Sequence, residues 1–292
     1  MKKIIFNLLI MVCLTIPTFA QNGMVLEGLT IKSSIMGKEM KYSVYLPYDY
    51  KTANRNYPIL YLLHGLGDDD SGWVQFGEIA FYADKAIAKG ETTPMVIIMP
   101  DGLRSFYVNS ADGKTKYKDY FLKELMPAVE NSYRIRKSQR FRAIAGLSMG
   151  GYGALNYAIK RPDLFCAAAP LSAAVFTDDE IQNLDDKAYA DLGANIYGAG
   201  LKANNRINAN NQQNAILKMI DIAPTDSLKK VKWYIDCGDD DFLINGNMAI
   251  HAALKTKGIP HTFKVRSGAH NWTYWRTALP NVLQFLGDAF HQ

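Results

Sequence analysis

From residue 57 onward, apolar runs of strand length alternate with longer segments of helical period. Residues 57–63, 94–100, 141–145, 164–171, 231–236 and 261–265 read as strands, several of them continuously apolar and so buried on both faces. Between and after them, helices are expected at 76–89, 120–133, from about 150 to 161, at 245–257, and from the end of the last strand to about residue 290. The second shows its period in Phe121, Leu122, Leu125, Met126 and Val129. Ahead of this series, 24–33 and 39–46 alternate apolar with polar, which predicts an antiparallel pair at a sheet edge joined near Gly37. Strands that alternate with helices predict an α/β fold with a mostly parallel central sheet, helices on both of its faces, and this antiparallel N-terminal edge.

One stretch departs from the pattern. Residues 176–227 are polar and rich in asparagine, with Asn204, Asn205, Asn208, Asn210 and Asn211 close together. Helices are expected there at 181–192 and 212–220. The segment reads as a cap or insertion over a cleft, with a disordered surface excursion as the alternative. No repeat or linker interrupts residues 21–292, so one domain is expected.

The first 20 residues read as an address. Lys2 and Lys3 precede an apolar run at 4–16, and Thr18, Phe19 and Ala20 offer small residues at the right spacing for cleavage. A secretory signal peptide cleaved after Ala20 is expected, which implies a periplasmic or secreted protein. The apolar run is short for a membrane span, so no stable membrane insertion is expected after cleavage. Cys13 follows Val12 rather than a small residue, which argues against a lipoprotein anchor. The other two cysteines, Cys166 and Cys237, are expected near opposite ends of neighbouring strands, too far apart for a disulfide. Composition adds little: 292 residues, 48% hydrophobic, 21% charged, net charge +5. The positive charge is spread without a basic, aromatic-rich cluster, so no nucleic-acid partner is expected.

The chemistry concentrates in the loops that follow strands. Gly146, Leu147, Ser148, Met149 and Gly150 form G-x-S-x-G between a predicted strand and helix. That pattern puts a serine on a strained turn, with glycines where strand and helix approach closely. Another glycine-bearing loop, His64-Gly65-Leu66-Gly67-Asp68-Asp69-Asp70-Ser71-Gly72-Trp73, follows the first central strand and can turn backbone N–H groups toward a ligand. Alone, it reads rather as a plain turn with a satisfied core histidine and a solvated acidic face. His270 is the histidine placed in a loop after a late strand; His251 falls within a helix, His261 opens a strand, and His291 is C-terminal. Asp236, Asp239, Asp240 and Asp241 crowd one strand end. Asp241 is favoured as partner to His270, with Asp240 the runner-up and Asp178 or Asp179 a more distant choice. The order serine, acid, histidine is that of α/β-hydrolases, in which a neutral imidazole takes the serine proton and a carboxylate fixes its tautomer. The aspartates lack the alternation and terminal glutamate of a calcium loop, so no metal is expected. Asn271-Trp272-Thr273 has the form of a glycosylation sequon and nothing further to support it.

Four motifs in this order carry a resemblance: Tyr61-Leu62-Leu63-His64-Gly65-Leu66-Gly67; Gly146 to Gly151; Cys237-Gly238-Asp239-Asp240-Asp241-Phe242-Leu243; and Gly268-Ala269-His270-Asn271-Trp272-Thr273-Tyr274-Trp275. Over nearly all of residues 25–290 the chain resembles the putative-esterase (esterase D-like) family of α/β-hydrolases. That family includes feruloyl and acetylxylan esterases, S-formylglutathione hydrolases and mycolyltransferases. The resemblance implies Ser148 as nucleophile, Asp241 as acid, His270 as base, and the Leu66 and Met149 N–H groups as an oxyanion hole, with no cofactor. An exported member resembles the esterases that act on xylan side chains. The implied substrate is a small-molecule or oligosaccharide ester, feruloyl (hydroxycinnamoyl) or acetyl, with Trp73, Tyr107, Trp272 and Trp275 as candidate stacking surfaces. An S-formylglutathione hydrolase-like thioesterase, a general short-acyl esterase, and a non-catalytic carbohydrate-binding protein on the same fold are the alternatives.

Overall fold

The computed structural model describes residues 22–207 and 212–291. The expected leader at 1–20 and Asn208, Asn210 and Asn211 lie outside the described residues. Eight strands form one sheet: β1 (Met24–Ser33), β2 (Lys38–Leu46), β3 (Ile59–Leu63), β4 (Val96–Pro100), β5 (Arg142–Leu147), β6 (Ala167–Leu171), β7 (Lys232–Gly238) and β8 (His261–Arg266). Their order across the sheet is β1-β2-β4-β3-β5-β6-β7-β8. The β1–β2 and β2–β4 pairs are antiparallel, and every pair from β4 to β8 is parallel. The predicted mixed sheet and its antiparallel edge are therefore present.

Side-chain alternation divides the core in two. On β3, Ile59, Tyr61 and Leu63 face one layer with Phe121, Leu155 and Ile250 from helices. Leu60 and Leu62 face the other, with Ile79, Leu279 and Leu283. Successive strand residues point to opposite faces, and both faces must be covered by helices; this is why the sequence of these strands is apolar throughout. The β3 strand starts two residues later than expected. Tyr57 makes an isolated parallel bridge to Ile135, and Pro58, which has no N–H to give to a ladder, separates it from the strand.

The chain leaves β3 toward β4 on one side and then crosses to β5 on the other. In an open parallel sheet, such a reversal of direction leaves a crevice beyond the carboxyl ends of the strands on either side of it. Here those strands are β3 and β5, and the loops that leave them carry Gly65 to Asp68 and Ser148.

Residues 176–227 are built from short helices: Asp178–Asn183, Asp186–Leu192, Ala194–Tyr197, Ile216–Ile222 and Thr225–Leu228. The single helix expected at 181–192 is broken at Leu184 and Asp185, because the Asp185 side chain caps a new helix by accepting from the Ala188 N–H. Thr177 and Glu180 form a reciprocal capping box for the one before. The described part of the segment is ordered around Arg206, only 2% exposed. Its guanidinium donates to the carbonyls of Ile181, Gln182 and Leu184, pairs with Asp186, and lies 4.3 Å over the Tyr189 ring. These bonds add to the packing of buried Ile181, Tyr189, Ile216 and Ile220, and such contacts from one arginine to distant carbonyls leave no period in the sequence.

Candidate active site

The Ser148 turn is a backbone device. Ser148 has φ 53° and ψ −116°, a left-handed conformation that is costly for a side-chain residue and is held by its surroundings. Its N–H donates to Leu171 O at 2.9 Å, and its carbonyl accepts from Ala174 N–H at 2.9 Å and Tyr152 N–H at 3.0 Å. The flanking glycines are needed for space. A β-carbon on Gly150 would lie 2.3 Å from Leu63 O, and one on Gly146 would lie 2.7 Å from both Leu63 O and Gly150 O. The helix Met149–Lys160 thus starts directly against the end of β3, and its first N–H groups open toward the cleft.

Ser148 Oγ lies 3.0 Å from His270 Nε2. On the other side of the ring, His270 Nδ1 lies 3.0 and 2.9 Å from the two oxygens of Asp241. Asp241 Oδ1 also accepts the Leu243 N–H at 2.9 Å. Burial pushes the Asp241 carboxyl up, but the bonds from His270 and Leu243 outweigh it and hold the pKa below its ordinary value. With an ionised acceptor on Nδ1, the imidazole keeps its proton there and presents a bare Nε2 to the serine hydroxyl.

The choice between neighbouring acids is made by geometry. Asp240 is exposed; its backbone N–H donates to Gly268 O at 3.1 Å, and among the described residues its carboxylate makes no hydrogen bond or ion pair. Asp239 accepts the Gly268 N–H at 2.9 Å. Asp236 is fully buried with Arg266, Tyr234 and Tyr274. Asp178 and Asp179 are exposed in the first turn of their helix. The two loops can meet because Gly238 has no side chain: a β-carbon there would lie 2.0 Å from Gly268 O. Two supporting residues escaped sequence reasoning. Asn247, fully buried, bonds both backbone groups of Ala173 and the Leu243 carbonyl, tying the acid loop to the loop after β6. Ser172 accepts the Trp275 N–H at 3.1 Å, and its hydroxyl helps lower the Asp241 pKa. Neither carries a motif; both are visible only once distant loops are brought together.

Of the four aromatic candidates, Trp73 and Tyr107 do not reach the cleft. Trp73 is 1% exposed and its Nε1–H donates to Leu63 O at 2.9 Å. Tyr107 is fully buried, fills the space left by Gly102 and Gly153, and donates its hydroxyl to His64 O at 3.0 Å. Both rings instead fix carbonyls at the end of β3. In the loop at 101–118, Phe106 packs on Tyr152 and Tyr107 on Tyr117. His64 is a satisfied buried histidine. Its Nε2 accepts the Gly102 N–H at 2.7 Å, and its Nδ1 lies 2.7 Å from Gly65 O. Trp272 and Trp275 do border the cleft.

That cleft, of about 290 Å³, is lined by Gly65, Leu66, Gly67, Asp68, Leu147, Ser148, His270, Trp272 and Trp275. None of these residues comes from 176–227. A larger groove of about 650 Å³ lies at the opposite ends of β7 and β8, beside Lys232, His261 and Asp288, without a comparable proton relay. Among the described residues, the N–H groups of Leu66 and Met149 donate to no protein acceptor, which leaves them available to an oxygen beside Ser148. At the rim, Phe242 is 59% exposed with its ring 4.7 Å from that of His270, and Phe76 is 49% exposed against Trp272. Cys166 and Cys237 are buried free thiols, one just before β6 and the other near the end of β7, and burial pushes both up to about 12. Among the described residues no helix is long and apolar enough to cross a membrane.

Residues 33–286 match the family described as Putative esterase. Esterase Rv1288 of Mycobacterium tuberculosis is 32% identical over 254 residues, which cover 82% of this chain and 54% of that protein. An endo-1,4-beta-xylanase/feruloyl esterase of Xylanibacter ruminicola is 30% identical over 175 residues, covering 58% of this chain and 24% of that one. Among solved structures, a ferulic acid esterase superposes with a TM-score of 0.78 at 32% identity, over 92% of this chain and 99% of its own. The chain spans about half the length of the Mycobacterium relative. The family match over most of the chain agrees with the fold and with the Ser148 loop: the chain belongs to the putative-esterase family of α/β-hydrolases.

Proposed function

We propose that this protein hydrolyses carboxylic esters through an acyl-serine intermediate, and that its substrates are feruloyl or acetyl esters on plant polysaccharide fragments. The observation that carries the reaction is the relay from Asp241 through His270 to Ser148 Oγ, with both hydrogen-bond distances near 3 Å. In the first step the Ser148 hydroxyl proton passes to His270 Nε2 as Oγ bonds to the ester carbonyl carbon. The carbonyl oxygen becomes an oxyanion held by the Leu66 and Met149 N–H groups; one such donor typically contributes about 10²–10³ in rate. His270 then gives its proton to the departing alcohol as the C–O bond breaks. Water repeats the sequence: its proton goes to His270, its oxygen to the acyl carbon, and Ser148 leaves with the proton returned.

The substrate class draws support from two sources. The relatives named as feruloyl or ferulic acid esterases share this framework. The cleft is also bordered by Trp272, with exposed Phe76 against Trp272 and exposed Phe242 against His270, surfaces suited to an aryl or sugar ring. The proposal places the protein outside the cytoplasm, on the strength of the leader-like residues 1–20 alone; mass spectrometry of exported protein should find an N-terminus at Gln21. The test of the reaction is Ser148→Ala. Hydrolysis of p-nitrophenyl acetate and methyl ferulate should fall at least about 10³-fold with the melting temperature preserved, and a fluorophosphonate should no longer label the protein. Undiminished turnover would remove Ser148 from the reaction.

A further inference from the structure

The cleft beside Ser148 contains one charged group that acyl transfer leaves unused. Asp68 lines it together with Gly65, Leu66, Gly67 and Trp272. The next two residues are acids too, and both are committed elsewhere. Asp69 accepts the Ser71 N–H at 2.8 Å and its hydroxyl at 2.7 Å. Asp70, 4% exposed, accepts the Ser43 hydroxyl at 2.6 Å and the Gly28 N–H at 3.3 Å. Among the described residues no hydrogen bond or ion pair ends on the Asp68 carboxylate. Its place is nevertheless defined. A β-carbon on Gly72 would lie 3.2 Å from Asp68 Cβ, 3.3 Å from Asp68 Cγ and 3.5 Å from Trp272 Cζ2. The carboxyl stem and the indole edge therefore pack against the same bare backbone, side by side at the cleft.

An acid and an aromatic edge in this arrangement have a shared chemistry. The indole takes the apolar face of a ring. The carboxylate, acceptor-only when ionised, takes a hydroxyl hydrogen in a charge-assisted bond. The same carboxylate repels a second anion, and partial burial limits the screening of that repulsion. Burial raises the Asp68 pKa, with His64 acting against the rise and Asp69 adding to it.

We propose that Asp68 is a specificity residue of this cleft: with Trp272 it selects neutral, hydroxyl-bearing esters and rejects those that carry a negative charge near the scissile bond. This rests on the esterase reading and narrows it. An S-formylglutathione substrate would bring two carboxylates to the enzyme, and a neutral sugar ester brings none.

The test uses phenyl acetate and 4-acetoxybenzoate, which differ by one carboxylate on the leaving group. The readout is the ratio of kcat/KM for the neutral over the anionic ester, compared between variants so that intrinsic reactivity cancels. Asp68→Asn should lower that ratio about fivefold to tenfold, and Asp68→Glu, which keeps the charge, should hold it within about threefold of wild type. In wild type the ratio should also shrink as salt is raised, since the effect is coulombic. An Asp68→Asn ratio within twofold of wild type would overturn the proposal, as would equal shifts from the Asn and Glu variants, which would mean shape rather than charge. A wild type that cleaves neither ester would instead bring down the esterase reading itself.

Discussion

Two runs of three consecutive aspartates stand at the same end of the sheet, Asp68, Asp69 and Asp70 after β3, and Asp239, Asp240 and Asp241 after β7. Each run has one deeply buried member, Asp70 at 4% and Asp241 at 2% exposure. Their buried carboxylates meet different partners. Asp70 turns away from the cleft and accepts from Ser43 on β2 and from Gly28. Asp241 turns toward the cleft and accepts from His270. The remaining acids cap turns, face water, or in the case of Asp68 line the cleft. Identical residues at equivalent strand ends therefore divide between a bond that ties the loop after β3 to β2 and one that orients His270. What divides them is which neighbouring loop comes within hydrogen-bond reach.

The sharpest way to break this comparison is at the buried acids. Asp241→Asn should reduce kcat on a p-nitrophenyl ester by about 10⁴-fold, the loss typical when an amide replaces the carboxylate that fixes the histidine tautomer. The same variant carries a pH signature. The folded-state pKa of Asp241 is lowered, so its ionised form stabilises the fold above the ordinary carboxylate range, and that contribution fades as pH falls below it. The stability–pH curve of Asp241→Asn should accordingly be flatter on its acid limb than that of wild type. Asp70→Asn should act on the fold instead. It weakens the bond to a buried Ser43 hydroxyl and should cost about 1–3 kcal/mol in denaturant unfolding, with kcat nearly unchanged in the folded fraction. Asp240→Asn should give the smallest effect, within about 0.5 kcal/mol in stability and threefold in kcat, because its side chain is exposed and bonds to none of the described residues. A loss at position 240 to rival that at 241 would mean that the loop rearranges on binding substrate.

Much of this was legible in the chain itself, and the reasons are specific. Ser148 could be read because strand, turn and helix each left a mark in consecutive residues, including the glycines that close packing demands. His270 could be read because His251, His261 and His291 fell inside elements or at the end of the chain, and His64 follows an early strand rather than a late one. Asp241 could be narrowed to a run of neighbours; only the approach of the β8 loop selects among them. The aromatics were less legible. Trp73, in a one-turn helix just after the glycine loop, and Tyr107, in the loop after β4, follow strand ends, a setting that suggests a surface, yet their polar atoms are spent on the carbonyls of Leu63 and His64. A loop that folds inward leaves no periodic trace. The segment at 176–227 was illegible for a related reason: its short helices are tied by Arg206 to carbonyls 22 to 25 residues away, a contact with no local period.

The missing side chain of Gly150 has one more consequence. Because Leu63 O occupies the place where a β-carbon would go, the turn that carries Ser148 packs directly against the strand end that leads into Leu66. A side chain at position 150 would push the Ser148 turn and the Leu66 loop apart, and with them the Ser148 hydroxyl and the Leu66 N–H. Any adaptation to a bulkier acid or alcohol would then have to arise at the rim, in Phe76, Phe242, Trp272 and Asp68. A mutational library directed at that rim should alter substrate choice while leaving the chemical machinery in register.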